Sequence, residues 1–269
     1  MVDLYLEPNG NPEHDRQIRD EFGYSNIFLR GFLKVIFTIF FVSALLLGNV
    51  VIFHNLYYKS FFVNGQSMYP TLNGGATCLD GSPIGAGVGS TCSDHGTTVE
   101  YGIMDTHELA KKSIRRFDII IGLFPNTTTK DVIKRVVALP GESFYLINDF
   151  GGPTNGDLYI IPPGETEGQL IPQNFGSEDI IRGGHYIGDR VPTINHPMTL
   201  ADNQYYVLGD NRVISKDSRS TGPLIYEDIK GVAVALEGTC VLDCSSTDGS
   251  CKATNVRFHW PVSLRWRGE

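Results

Sequence analysis

Residues 35–53, VIFTIFFVSALLLGNVVIF, hold no charged side chain, and no other stretch limits the fold as much. As a helix rising about 1.5 Å per residue, the run reaches roughly 28 Å, close to the hydrocarbon thickness of a bilayer. A cleaved leader has a shorter apolar core followed by a small-x-small site, which is missing here. A helix in a soluble core shows a polar face, whereas this one is apolar all round. The run therefore reads as a single membrane span over residues 31–53. A tail over 1–30 precedes it and a domain over 54–269 follows. Arg16, Arg19, Arg30 and Lys34 lie before the run and Lys59 stands alone just after it. That asymmetry predicts a cytoplasmic N-terminus, with residues 54–269 on the extracytoplasmic side of the membrane.

Beyond the span the chain reads as mainly β. It carries 30 glycines and 14 prolines, and short runs of Val, Ile, Tyr and Thr alternate with turn-forming clusters. RRFDIIIGLFP (115–125) and DVIKRVVALPGE (131–142) flank a polar NTTTK loop and are predicted to pair as an antiparallel hairpin. Residues 143–200 hold short strands broken by GGPTNGD, PPGETEG and RGG, which predicts a small β subdomain inserted into a larger antiparallel sheet. Residues 73–110 read as an irregular excursion, with a short polar helix near 105–113. The net charge of −8 argues against a nucleic-acid partner, because phosphate contacts need a cationic face. All five cysteines, Cys78, Cys92, Cys240, Cys244 and Cys251, follow the span, as an oxidising compartment would favour. Disulfides are expected for Cys78–Cys92 and for one pair among the last three. Those last three lack histidine partners at zinc-finger spacing, so neither a metal nor another cofactor is expected.

The chemistry centres on a lysine. Side chains alternate along a strand, so Val132, Lys134 and Val136 share one face of the second hairpin strand while Arg135 points away. An ammonium packed between apolar side chains loses hydration, which lowers its pKa. The neutral amine that results can take a proton from a serine hydroxyl. VNGQSMYPTL (63–72) supplies such a serine, Ser67, ahead of Pro70, which holds Tyr69 extended and stops a helix. Singly, each residue has a plainer reading: lysine guards exposed edge strands, and serine is common in Gly-rich turns. A third stretch, GDNRVISKDSRSTG (209–222), is dense in side chains that bind one another or backbone. None of the seven histidines falls in these stretches. There is no G-x-S-x-G elbow and no H-E-x-x-H helix, so neither a histidine triad nor a zinc protease is indicated.

Together these segments resemble the boxes of the bacterial type I signal peptidases, membrane-bound Ser/Lys endopeptidases that remove signal peptides. NGQSMYPTL resembles the nucleophile box, RRFDIIIGLFP the strand box, DVIKRVVALPGE the lysine box and GDNRVISKDSRSTG the last box, in the family's order behind an anchor. The resemblance implies a serine endopeptidase with Ser67 as nucleophile and Lys134 as general base, working through an acyl-enzyme. It implies that Ser215 hydrogen-bonds the lysine amine and that Asp210, Asp217 and Arg219 brace the site. It places Met68 at the substrate and the Ser67 N–H at the oxyanion. Gly65 stands where some members carry a hydroxyl donor, which leaves the second donor open. The implied partners are signal-peptide-bearing preproteins and membrane lipid. A specialised processing peptidase, such as one maturing a pilin, carries the same boxes. A tethered binding protein that has lost catalysis is the third reading, and the intact Ser67, Lys134 and Ser215 count against it.

Overall fold

The apolar run forms part of one long helix, α1, from Pro12 to Tyr57. The structure, a computed structural model, describes residues 12–78, 97–124, 131–173, 175, 178–243 and 252–264. The residues before the span, expected only as a tail, are therefore helical from Pro12 onward. The part of α1 long and apolar enough to cross a membrane is Leu29–Tyr57, 29 residues with none of their side chains buried. Between Lys34 and His54 this helix carries no charged side chain, and its Thr38 and Asn49 side chains donate to the Lys34 and Leu45 carbonyls of the same helix, which is the condition for facing lipid. The chain forms two compact units, Met1–Leu56 and Tyr57–Glu269. At the start of the second, the Tyr57 carbonyl accepts from the Thr106 backbone N–H at 2.7 Å and from its hydroxyl at 2.9 Å.

The second unit is mainly β. Its elements are β1 (Tyr58–Phe62), β2 (Gly74–Cys78), β3 (Thr97–Asp105), α2 (Glu108–Lys112), β4 (Ile119–Gly122), β5 (Val132–Ala138) and β6 (Ser143–Leu146). They continue with β7 (Leu158–Ile161), β8 (Gln169–Ile171), α3 (Glu178–Arg182), β9 (Met198–Thr199), β10 (Gln204–Leu208), α4 (Ser218–Thr221), β11 (Leu224–Ile225), β12 (Ile229–Asp243) and β13 (Lys252–Ser263). The large sheet runs β1-β3-β12-β4-β5-β10-β11, with β2 beside β3 and β13 beside β12. Residues 143–199 contribute the separate sheet β8-β7-β6-β9, as expected of the insertion. The predicted hairpin is β4–β5, with Ile120 opposite Lys134. Its 125–130 loop lies outside the described residues, as do Cys92, Cys244 and Cys251. Cys240 is a buried free thiol.

One expectation is corrected. The 73–110 stretch is not irregular throughout: β3 joins β1, β2 and β12 and holds that end of the sheet together. Gly102 lies within β3, opposite Leu236, and must lack a side chain because a Cβ would stand 2.1 Å from the Ala235 carbonyl oxygen on β12. The crossing backbone, not turn chemistry, selects the glycine.

What positions the site is the double burial of β5. It lies between β4 and β10, with Val136 packed among Ile120, Phe124, Val207 and Val232, and Val137 among Phe117, Phe144, Leu158 and Tyr206. Each fully buried side chain of this size stabilises by about 1.5–3 kcal/mol. A strand covered on both faces has no dry-to-wet alternation, so any charged residue on it must find its own partner.

Candidate active site

Ser67 sits on a loop between β1 and β2 whose two stems meet on one residue of β3. The Val63 N–H donates to the Glu100 carbonyl at 2.9 Å, the Glu100 N–H donates to the Asn73 carbonyl at 2.8 Å, and the Asn73 N–H donates to the Glu100 carboxylate at 2.6 Å. Burial raises the Glu100 carboxyl above the ordinary carboxylate range. Within the loop, Gln66–Met68 form one 3₁₀ turn, and Tyr69 is extended as expected from Pro70. Gly65 has φ +92° and ψ 160°, a conformation essentially restricted to glycine. The absence of a hydroxyl at this position thus has a backbone cause: a serine here would be strained even though the space is open.

Met68, expected at the substrate, is 0% exposed. It packs with Phe61, Val63, Leu72, Ile119, Ile121 and Ala233, so it supports the Ser67 turn from beneath and does not line the cleft.

Lys134 and Ser67 are together. Lys134 Nζ lies 2.7 Å from Ser67 Oγ and donates to the Ile133 carbonyl at 2.9 Å. The lysine is only 4% exposed. Burial drives its pKa down from 10.5 to about 8, against the upward pull of the Asp217 and Asp210 carboxylates. The desolvation penalty wins because neither carboxylate is free to approach: each is held by an arginine. Arg135, reaching out from the opposite face of β5, gives Asp210 two hydrogen bonds, 2.8 Å from Nε and 2.6 Å from Nη2. Arg219 binds Asp217 from Nε at 2.8 Å and from Nη2 at 2.9 Å. Forked pairs of this kind fix direction as well as distance.

The 209–222 loop folds onto the Ser67 turn. The Asn211 N–H donates to the Ser67 carbonyl at 3.0 Å, and the Gly209 N–H donates to the Asp217 carboxylate at 3.0 Å. Asp217 also caps α4 by accepting from the Arg219 N–H, and Arg219 Nη2 donates to the Ser215 carbonyl at 3.2 Å. Asp217 and Arg219 therefore hold the segment carrying Ser215. Ser215 itself departs from expectation: its hydroxyl oxygen is buried with no hydrogen-bond partner among the described residues and does not bond the lysine amine. It lies instead against Gly209, where a Cβ would stand 2.2 Å from Ser215 Oγ and 2.4 Å from the Ser67 carbonyl oxygen.

A cleft of about 460 Å³ opens beside the pair, lined by Ser60, Phe61, Phe62 and Asn64 on one side and by Asp131, Val132 and Ile133 on the other, with Ser67 and Lys134 in its wall. Three residues that hold this arrangement were not singled out by the sequence: Arg135, Glu100 and Arg212. The signal for Arg135 was present, since a charge amid VIKRVV on a doubly buried strand demands a carboxylate. Nothing local marks Glu100 or Arg212.

The family model for signal peptidase, peptidase S26, matches residues 32–236, which take in all four boxes. The chain belongs to the signal peptidase family. Among curated relatives, signal peptidase I V of Bacillus subtilis is 33% identical over 124 residues, 45% of this chain and 65% of the relative. Signal peptidase I of Mycobacterium tuberculosis is 27% identical over 186 residues, 63% of this chain and 58% of the relative. The chain thus spans less than two thirds of the length of these relatives. A solved signal peptidase I from Enterococcus faecalis is 27% identical, covering 45% of this chain and 96% of its own, with a TM-score of 0.31. Membership in the signal peptidase family accords with the apolar helix at the N-terminal end and with a mainly antiparallel β domain after it.

Proposed function

We propose that this chain removes signal peptides from exported proteins at a membrane, with Ser67 as nucleophile and Lys134 as general base. The observation that carries the reading is the 2.7 Å approach of a buried lysine nitrogen to the Ser67 hydroxyl. In the neutral form, the Nζ lone pair accepts the hydroxyl proton as Oγ attacks the scissile carbonyl carbon. The tetrahedral adduct collapses when the ammonium returns that proton to the leaving amine, and an ester on Ser67 remains. Water then gives a proton to Nζ and attacks the ester. Oγ leaves and recovers a proton from the lysine. The Ser67 N–H serves the oxyanion, and one such donor is worth about 2.7–4 kcal/mol in the transition state.

The strand edges support an extended substrate. On one side of the cleft β1 pairs with β3 alone among the described residues. On the other, Val132–Lys134 precede the β10 pairing, which begins at Arg135. A peptide lying between them would meet a strand edge on both sides, as in strand addition. The α1 helix holds the enzyme at the bilayer, with its N-terminus cytoplasmic and the β domain outside. A pilin-type processing enzyme shares the dyad, but no feature of the cleft favours it.

The full chain in detergent micelles is assayed on a preprotein, with the new N-terminus identified. Because the base must be unprotonated, kcat/KM is expected to rise about tenfold per pH unit below about 8 and to level off above it. A flat profile from pH 6 to 10 excludes Lys134 as the base.

A further inference from the structure

We propose that the inserted β domain is a positioning device for the Ser67 turn, acting through Arg212. This rests on the reading of Ser67 and Lys134 as the reacting pair.

Arg212 is 1% exposed. Its acceptors among the described residues are all neutral: Nε donates to the Gly209 carbonyl at 3.1 Å, Nη1 to the Tyr186 hydroxyl at 3.0 Å, and Nη2 to the Gln173 side-chain oxygen at 2.6 Å. The other two arginines packed on this loop, Arg135 and Arg219, each have a carboxylate. Burying a guanidinium without one costs several kcal/mol, and an apolar side chain of similar volume would fill the space at less expense. Stability alone does not account for the residue. What the guanidinium supplies is a rigid planar fork between two chain segments.

One end of that fork is the inserted domain, and its contacts there are themselves fixed. Gln173 Nε2 donates to the Gly156 carbonyl at 2.8 Å, and the Tyr186 hydroxyl donates to the Ile181 carbonyl at 3.0 Å. The other end is Gly209, in contact with the Ser67 carbonyl, while the adjoining Asn211 N–H donates to that same carbonyl at 3.0 Å. Two further bonds run parallel to the fork. Arg219 Nη1 donates to the His185 carbonyl at 3.1 Å, and Arg190 Nη1 donates to the Ser220 carbonyl at 3.0 Å. A Cβ on Gly184 would stand 2.6 Å from Arg212 Cβ, so the two segments are packed without slack. A shift of the inserted domain therefore reaches the Ser67 backbone through the Arg212 hydrogen bonds, the Asn211–Arg212 peptide link and the Asn211 N–H. Arg212, Gln173 and Tyr186 are positioning residues, since none of them lines the cleft.

The test measures kcat, KM and Tm of the full chain in detergent on a preprotein for Gln173→Leu, Tyr186→Phe, the double variant and Gln173→Glu. Gln173→Leu and Tyr186→Phe are each expected to lower kcat about tenfold with KM within about twofold, because misplacement penalises the transition state and not ground-state binding. The double variant is expected to depart from the product of the singles, since both act on one guanidinium. Gln173→Glu, which keeps the acceptor for Arg212 Nη2 and adds a charge partner but loses the Nε2–H given to the Gly156 carbonyl, is expected to recover part of the kcat lost in Gln173→Leu. Wild-type kcat in both single variants, a rise in KM alone, or strictly multiplicative effects overturns the proposal. Ser67→Ala runs alongside. Cleavage by that variant overturns the underlying Ser/Lys reading, whereas an inactive Ser67→Ala with unaffected Gln173 and Tyr186 variants removes only the role given to the inserted domain.

Discussion

Lys134→Ala and Ser67→Ala are each expected to lower kcat for preprotein cleavage by about 10⁴-fold or more, with KM little changed. Without Nζ the Ser67 proton has no acceptor within bonding distance among the described residues, and without Oγ the amine has nothing to activate. Because the two act as one unit, the double variant is expected to be no slower than the worse single. Steady-state kinetics on a preprotein check all three, and near-wild-type rates in either single variant contradict the shared role. Lys134→Met adds a second readout, since activity and stability are expected to move in opposite directions. The folded-state pKa of about 8 lies below the ordinary 10.5, so the unfolded chain binds more protons between those values and stability rises with pH across that window. Below about pH 8 the folded protein carries the whole cost of the buried ammonium, about 3 kcal/mol. Methionine escapes it. The variant is therefore expected to unfold at higher denaturant than wild type at pH 7, with the difference shrinking as pH approaches 10.5. A less stable Lys134→Met at pH 7 contradicts that assignment.

Arg135→Met is expected to destabilise the fold by about 3–5 kcal/mol, because it leaves Asp210 as a buried charge without its partner. Arg135 and Asp210 side chains are 4% and 0% exposed. Arg135 Nη1 also donates to the Phe117 carbonyl at 2.8 Å, and the guanidinium lies 4.2 Å from the Phe175 ring centre. Replacing both partners, in Arg135→Met with Asp210→Leu, is expected to recover much of the loss, since two apolar residues leave no buried charge without its partner. The Lys230–Asp131 pair provides a contrast at a similar distance. Its side chains are 51% and 42% exposed, so Lys230→Ala is expected to cost under about 1 kcal/mol. Chemical denaturation in one detergent separates the cases. Equal costs at the two pairs contradict the burial argument.

The sequence made the membrane helix, the β4–β5 hairpin and the Ser67–Lys134 association legible for different reasons. The first two are local patterns: an uncharged run, and two apolar strands around a polar loop. The third came from a resemblance of four boxes, because nothing local tells residue 67 that residue 134 is near. Alternation correctly set Lys134 and Arg135 on opposite faces of β5, but it says nothing of what packs against each face, so the Asp210 partner 75 residues away went unread. Met68 misled because adjacency to Ser67 in the chain is not adjacency to the cleft; a 3₁₀ turn sends neighbouring side chains in different directions. β3 was hidden because its glycine answers to the backbone of β12, a tertiary demand with no local signature.

The most direct measurement is the titration of the Lys134 amine itself, followed by the ¹³Cε resonance of labelled lysine in the full-length protein and assigned by its loss in Lys134→Ala. A midpoint near 8 is expected. A midpoint at the ordinary lysine value of about 10.4 would mean that the nitrogen beside Ser67 is an ammonium at working pH and unable to accept its proton.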